Sequence, residues 1–395
     1  MALSQTLPAR GGAAAKLPRP VELVAFALVV AHAVYLTVSY FQGVWPDTAG
    51  VPPDFVNVWA GGQSALAGHA AAVYDGPIHK LAEEAAVGHP FDGFYTWHYP
   101  PTFLVAAAAL ALLPYATAFF VWMFATFLAY AAAIRAIIGE RLGYLLAAAF
   151  PAVLANFLVG QNGFLTAALI GGALLLVERQ PVVAGMLLGL LTFKPHLGLL
   201  FPIALLAGGH WRVFVAAALT AALIAAASWA AFGTATWQAF LIDSGNVSAA
   251  FPADGWTDWG KIQTAFGLVR MLGGSAALAW TAQIAIVLLA AGAIAVLWRS
   301  RTASEIKAAA LATGAVLATP YLYTYDLVVL AVPLAFLFRL GRERGFLAHE
   351  MAGVALACLL ILIYPLAPSP VGFAAALVIV ALIARRALLS PSGAL

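Results

Sequence analysis

Residues 276–298 read AALAWTAQIAIVLLAAGAIAVLW, and Arg299-Ser300-Arg301 follow directly. No side chain in that run is charged. As a helix it would extend about 34 Å at 1.5 Å per residue, enough to cross a hydrocarbon core of about 30 Å. A barrel strand would alternate apolar and polar residues, whereas this run is continuously apolar. The same texture recurs along the chain: 64% of the 395 residues are hydrophobic, 9% are charged, and the mean hydropathy is +0.96. Soluble domains carry roughly a quarter charged residues, so a soluble enzyme, a disordered chain and a nucleic-acid binder are excluded. The single cysteine, Cys358, rules out a disulfide within the chain and a cysteine metal site.

Apolar segments fall at 21–41, 101–113, 115–138, 142–159, 163–177, 182–193, 195–207, 211–232, 276–298, 306–319, 326–338, 349–366 and 370–384. Alternate gaps, with the segment ends that flank them, hold 15 of the 19 Lys and Arg residues, from Arg10, Lys16 and Arg19 to Arg385 and Arg386. The positive-inside rule assigns these gaps to the cytoplasm. The other gaps, taken with Asp326 at the edge of one, contain all eight aspartates and are assigned outside. The expectation is an all-α polytopic membrane protein of about 12 transmembrane helices, in the plasma (inner) membrane, with both termini cytoplasmic. A single membrane domain, 21–386, lies between cytoplasmic tails at 1–20 and 387–395, with outer loops at 42–100 and 233–275. Segments 101–113 and 115–138 must make one net crossing, so 101–113 is a re-entrant or surface helix unless the loop at 135–141 is misplaced.

Several segments have only about 13 residues, roughly 20 Å of helix. Short membrane helices persist where neighbours bury their ends or where they border a cavity. They meet at Gly160-Gln161-Asn162-Gly163, at Lys194-Pro195-His196 and at Pro320-Tyr321, all assigned outside. A cavity opening outward is therefore expected.

The polar residues near that cavity are the candidates for chemistry. Asp54 follows Pro52-Pro53 and begins a stretch of helical spacing that presents Phe55, Val58, Trp59, Gly62 and Leu66 on one face. An aspartate there either caps the helix or stands as a general base at the cavity mouth. Residues 77–88 suit an amphipathic surface helix with His79, Lys80, Glu83 and Glu84 on its solvated face. His98 is either an interfacial or a catalytic group. Lys194 lies at membrane depth, which implies an anionic partner such as a lipid phosphate, or snorkelling to the interface. Gln161 and Asn162 can bond a sugar or the neighbouring helices. Tyr321, Tyr323, Tyr325 and Asp326 close a further junction, and Asp254, Trp256, Asp258 and Trp259 have the composition of a carbohydrate surface. There is no Walker A motif and no metal-spaced cluster of side chains. No cofactor is called for; a divalent metal is compatible with the chemistry but has no motif.

Asp54-Phe55 with Trp59-Ala60-Gly61-Gly62, Ala65-Leu66-Ala67-Gly68 and Val73-Tyr74-Asp75 resembles the first-loop signature of glycosyltransferase family 87. Tyr99-Pro100-Pro101, Gly160-Gln161-Asn162, Lys194-Pro195-His196 and Thr319-Pro320 with Tyr325-Asp326-Leu327 continue the resemblance in order. It implies a GT-C bundle that transfers a hexose, by default mannose, from a polyprenyl-phosphate sugar to a glycolipid or envelope glycan. It also implies that Asp54 is the base. Trp59, His98, Gln161, Asn162, Lys194, His196, Tyr325 and Asp326 are then the expected substrate-binding residues. The family's frequent histidine in the late motif has no match here. A transporter or flippase of lipid-linked sugars is the competing class, but the internal repeat that many transporters show is not found.

Overall fold

The computed structural model describes residues 19–41, 53–93, 95–253, 255 and 257–389. Nearly all of the basic tail, Trp45-Pro46-Asp47, Asp254, Trp256 and the last six residues lie outside the described residues. Among those described, the chain is helical and contains no strand. After α1 (Arg19–Phe41) come α2 (Phe55–Leu66), α3 (Gly76–Val87) and α4 (Pro101–Ala111). Then come α5 (Tyr115–Ile138), α6 (Leu142–Ala149), α7 (Ala152–Val159), α8 (Gly163–Leu176), α9 (Pro181–Leu190) and α10 (Phe201–Ala207). The second half comprises α11 (Trp211–Ala250), α12 (Ala265–Met271), α13 (Ala276–Arg299), α14 (Ser304–Ala318), α15 (Ala331–Arg344), α16 (Glu350–Leu362) and α17 (Val371–Leu389).

Six helical stretches are long and apolar enough to cross a bilayer, and α6 with α7 makes a seventh candidate bent by 66°. Pro151 explains that bend. It has no N–H to donate and disfavours helical backbone in the residue before it, and Phe150 accordingly takes ψ 128°. In its most apolar window, α13 is 11% buried, against 83% for Thr324–Arg344. α13 therefore leaves Leu288, Leu289 and Val296 exposed, an apolar surface suited to lipid rather than water. The stretch ending in α15 is the centre of the bundle.

The helix at 101–113 is short and tied to α2. α4 has 11 residues, about 16 Å of helix. Its C-terminal carbonyls lack helical partners, and α2 supplies them. Gln63 Nε2 donates to the Ala111 carbonyl at 2.6 Å and Trp59 Nε1 to that of Leu113 at 2.9 Å. Gly62 permits the approach, because a Cβ there would stand 2.1 Å from the Ala107 carbonyl oxygen.

One expectation needs correction and another gains detail. Within the expected loop 233–275 the chain is helical again beyond Gly233, as far as Ala250. Gly233 breaks the helix with φ 78°, a conformation open to glycine, where the expected apolar segment 211–232 also ends, and a second helical stretch runs on from it. The charged face expected of 77–88 is also partly inverted: His79 and Glu83 are 1% and 0% exposed, whereas Ile78 and Leu81 point outward. The helix is positioned by its caps, Asp75 accepting from the Ile78 N–H and Gly88 closing it in the left-handed region. Asn57 then bonds His79 Nε2, and the Tyr95 backbone N–H bonds the Glu83 carboxylate.

Candidate active site

Asp54 occupies the N-cap position of α2, yet its side chain makes no capping hydrogen bond. Its carboxylate instead accepts from Gln161 Nε2 at 3.2 Å, across 107 residues of sequence. Gly160 makes this meeting possible. Its φ of 71° is accessible to glycine, and a Cβ there would stand 2.7 Å from the Phe55 Cβ. The start of α2 therefore seats directly on the turn that carries Gln161. Gly163 anchors the other side of that turn, its N–H donating to Asn156 Oδ1 at 3.0 Å.

The contact extends into a chain of side chains. Asn162 Nδ2 donates to the Tyr99 hydroxyl at 2.8 Å, and that hydroxyl donates to Gln161 Oε1 at 2.9 Å. Burial pushes the Asp54 carboxyl up to about 6, while the Gln161 hydrogen bond and the charge of Lys261 pull it down. A carboxyl in this setting is ionised near neutral pH and basic enough to take a proton.

Lys194 lies between two short 3₁₀ segments, Leu191–Phe193 and Pro195–Gly198, with Pro195 starting the second. It is 5% exposed. Its ammonium forms a hydrogen-bonded ion pair with Asp326 and lies 5.1 Å from the Tyr325 ring centroid. The anion that a deep lysine requires is thus supplied from within the chain. Asp326 also accepts from the Tyr323 backbone N–H at 3.3 Å. His196 is two residues from this pair and half-buried.

The remaining candidates divide. Tyr321 and Tyr323 meet edge to face at 5.2 Å, and Tyr323 stacks on Tyr325 at 5.7 Å. His98 joins that row, its ring 6.2 Å from Tyr321, and burial holds its imidazole down at about 4, so it is neutral. Trp59 has a different place: its indole N–H is bonded to Leu113 and its ring packs on Tyr115. Trp259, expected at a carbohydrate surface, packs with Phe251 and Phe266, and Asp258 accepts from the Gly260 N–H. Both serve the loop itself.

Sequence reasoning missed the buried pair His79 and Glu83, 3.8 Å apart. His79 Nε2 donates to Asn57 Oδ1 at 2.8 Å, one turn along α2 from Asp54. Burial raises Glu83 to about 7 and lowers His79 to about 4. Their i,i+4 spacing on α3 was visible, but it also suits a solvated helix face. Tyr99 was read only as part of a motif.

An apolar cavity of about 220 Å³ lies beside this region, between α9, α10 and α11, lined by Leu188, Phe201, Leu205, Phe214 and Ala218. Leu191 and Gly198 also border it, so it shares a wall with the segment that carries Lys194. Among the described residues no three His, Cys, Asp or Glu side chains are grouped as a metal site would need.

No curated protein and no solved structure matches the chain. The model of glycosyltransferase family 87 matches residues 97–320, more than half of the chain. That span contains Tyr99, Gln161, Asn162 and Lys194; Asp54 lies before it and Asp326 after it. Together with its apolar helices, the match makes the chain a multi-pass membrane glycosyltransferase, a member of glycosyltransferase family 87.

Proposed function

We propose that the protein transfers a hexose, with mannose as the default, from a polyprenyl-phosphate sugar to a glycolipid or envelope glycan on the outer face of the plasma membrane. The observation that carries this reading is Asp54: it begins a helix without capping it, and its carboxylate is held by Gln161 in a desolvated setting. The acceptor hydroxyl gives its proton to Asp54, and its oxygen attacks the anomeric carbon. The bond from that carbon to the phosphate oxygen breaks, the electron pair leaves with the polyprenyl phosphate, and the configuration inverts. Tyr321, Tyr323, Tyr325 and neutral His98 form the wall on which the sugar rests. The lipid tail lies in the apolar cavity beside 191–198, and its phosphate competes with Asp326 for Lys194.

The reading includes a GT-C-like bundle crossing the membrane 12 times, with α4 as the non-crossing segment and both termini in the cytoplasm. A cytoplasmic nucleotide sugar would not reach such a site, whereas a flipped lipid-linked sugar would. The deciding experiment uses purified protein, synthetic polyprenyl-phosphate mannose and a membrane lipid extract as acceptor. Asp54→Asn should insert normally, since no capping bond is lost and the amide oxygen still accepts from Gln161 Nε2, and lose about 10²–10⁴-fold of transfer, the usual effect of removing a general base. Near-wild-type transfer by Asp54→Asn overturns the assignment.

A further inference from the structure

We infer that Tyr99 is a positioning residue for the base: its hydroxyl decides which end of the Gln161 amide faces Asp54. The inference rests on Asp54 being the base. An amide has an accepting oxygen and a donating nitrogen of nearly equal shape, so steric fit alone does not orient Gln161. Only the nitrogen end stabilises an ionised carboxylate; the oxygen end repels it. The other end of the same amide meets Tyr99, whose hydroxyl donates to Gln161 Oε1 at 2.9 Å. That hydroxyl is committed as a donor in this direction because Asn162 Nδ2 donates to its oxygen at 2.8 Å. The polarity therefore runs one way, from Asn162 through Tyr99 and Gln161 to Asp54.

The surroundings fix the phenol independently of its hydroxyl. The ring packs on Trp97 at 5.3 Å and on Phe103 at 4.6 Å. The Tyr99 carbonyl accepts from the Tyr74 hydroxyl at 2.8 Å. Burial raises the Tyr99 hydroxyl above its ordinary range, so it stays protonated and able to donate. Tyr99→Phe thus removes one donor and leaves the packing in place. Without that donor, Gln161 can rotate, and the Asp54 carboxylate loses a stabilising N–H.

The other groups within electrostatic range of Asp54 are Lys261, Glu83, Tyr95, Tyr323 and Tyr325. Tyr99→Phe removes the charge of none of them, and of the five only Tyr325 also interacts with Tyr99, so a change in the acid limb of the rate profile reports on the Gln161 bond.

The test measures transfer from polyprenyl-phosphate mannose between pH 5 and 8. In Tyr99→Phe the acid limb should move up by about one pH unit, a size in keeping with the loss of a hydrogen bond to a charged group. Turnover at pH 6 should fall severalfold, up to about tenfold for that shift, with KM for the donor within about twofold. A purely structural tyrosine would leave the limb where it is, and that result overturns the inference. Asn162→Leu removes the group that commits the hydroxyl and should shift the limb in the same direction by less; it decides the matter if Tyr99→Phe does not fold. The two levels separate cleanly. Inactive Asp54→Asn with an unmoved limb in Tyr99→Phe overturns the role of Tyr99 alone. Active Asp54→Asn overturns the base and leaves Tyr99 nothing to position.

Discussion

Removing Lys194 tests what a deep lysine is for. Asp326 is 3% exposed and Lys194 5%, so each is out of water and dependent on the other. Lys194→Met keeps the length of the side chain and leaves Asp326 with one backbone N–H from Tyr323 as its remaining hydrogen bond. Breaking a buried pair from one side typically costs about 3–5 kcal/mol, whereas replacing both partners with apolar groups is often neutral. Loss of the contact with Tyr325 adds about 0.5–2 kcal/mol. In a denaturing-detergent titration Lys194→Met should therefore be destabilised by about 3.5–7 kcal/mol, and Lys194→Met/Asp326→Leu should recover most of that loss. Transfer activity then separates the two roles of the lysine. A phosphate-binding lysine predicts that the recovered double variant still has a raised donor KM, whereas a structural brace predicts that activity returns with stability. A single variant as stable as wild type would refute the argument that the pair holds the 194 junction to the 324–330 segment.

Four further outcomes are expected. Transfer by the wild-type protein should fall about tenfold per pH unit below an acid limb near 6, because Asp54 must be ionised to act as base; a rate flat from pH 5 to 7 contradicts this. Gly62→Ala should destabilise α2 and α4 by more than about 1 kcal/mol, since the new methyl meets the Ala107 carbonyl; thermal unfolding in micelles reads it. Glu83 binds a proton in the folded chain up to about pH 7, so as pH rises from its unfolded value towards 7 this group's contribution to stability declines. Glu83→Gln should therefore gain on wild type between pH 5 and 8, and a stability difference independent of pH refutes the shift. Finally, a cysteine placed near Asp75 should react with an impermeant thiol reagent in intact cells while one near Arg342 does not; reversed labelling ends the outward-cavity argument.

The apolar spans were legible because a bilayer imposes a length and a composition that few other environments demand. Runs such as 276–298 therefore appear as helices with nearly the expected limits. The paired short segments around Lys194 were legible for the same reason, being too short to span comfortably and joined by polar residues. Partners were much less legible. Lys194 announced a need for an anion, but nothing local indicated that it would come from residue 326. His79 and Glu83 share a helix face, and i,i+4 spacing suits a buried pair and a solvated face equally well. The choice was made by Asn57 and the Tyr95 backbone, which the chain brings in from elsewhere. The second helical stretch beyond the break at Gly233 was hidden because residues 234–250 are more polar than the span before them, and polarity alone does not exclude a helix.

The two carboxylates of the site both fall outside the segment that matches the family, yet each is bonded to a residue inside it: Asp54 to Gln161 and Asp326 to Lys194. In each case the matched residue sits at a junction between short helices and the carboxylate arrives on a separate element. This division has a physical consequence. The junctions depend on particular backbone geometry, the left-handed φ that glycine permits at Gly160 and the φ that the ring of Pro195 sets at the start of its 3₁₀ turn. The carboxylates are held by a single side-chain partner each, so small changes in packing reach them easily. Asp54 is the more exposed to such changes, because α2 is positioned by Gly62 against α4, by Trp59 and Gln63 on the carbonyls of Leu113 and Ala111, and by Phe55 on Gly160. Loss of any of these contacts should move the carboxylate without touching it. Trp59, expected to meet substrate, would then influence transfer through the angle of α2, and Trp59→Phe should lower turnover while leaving KM for both substrates unchanged.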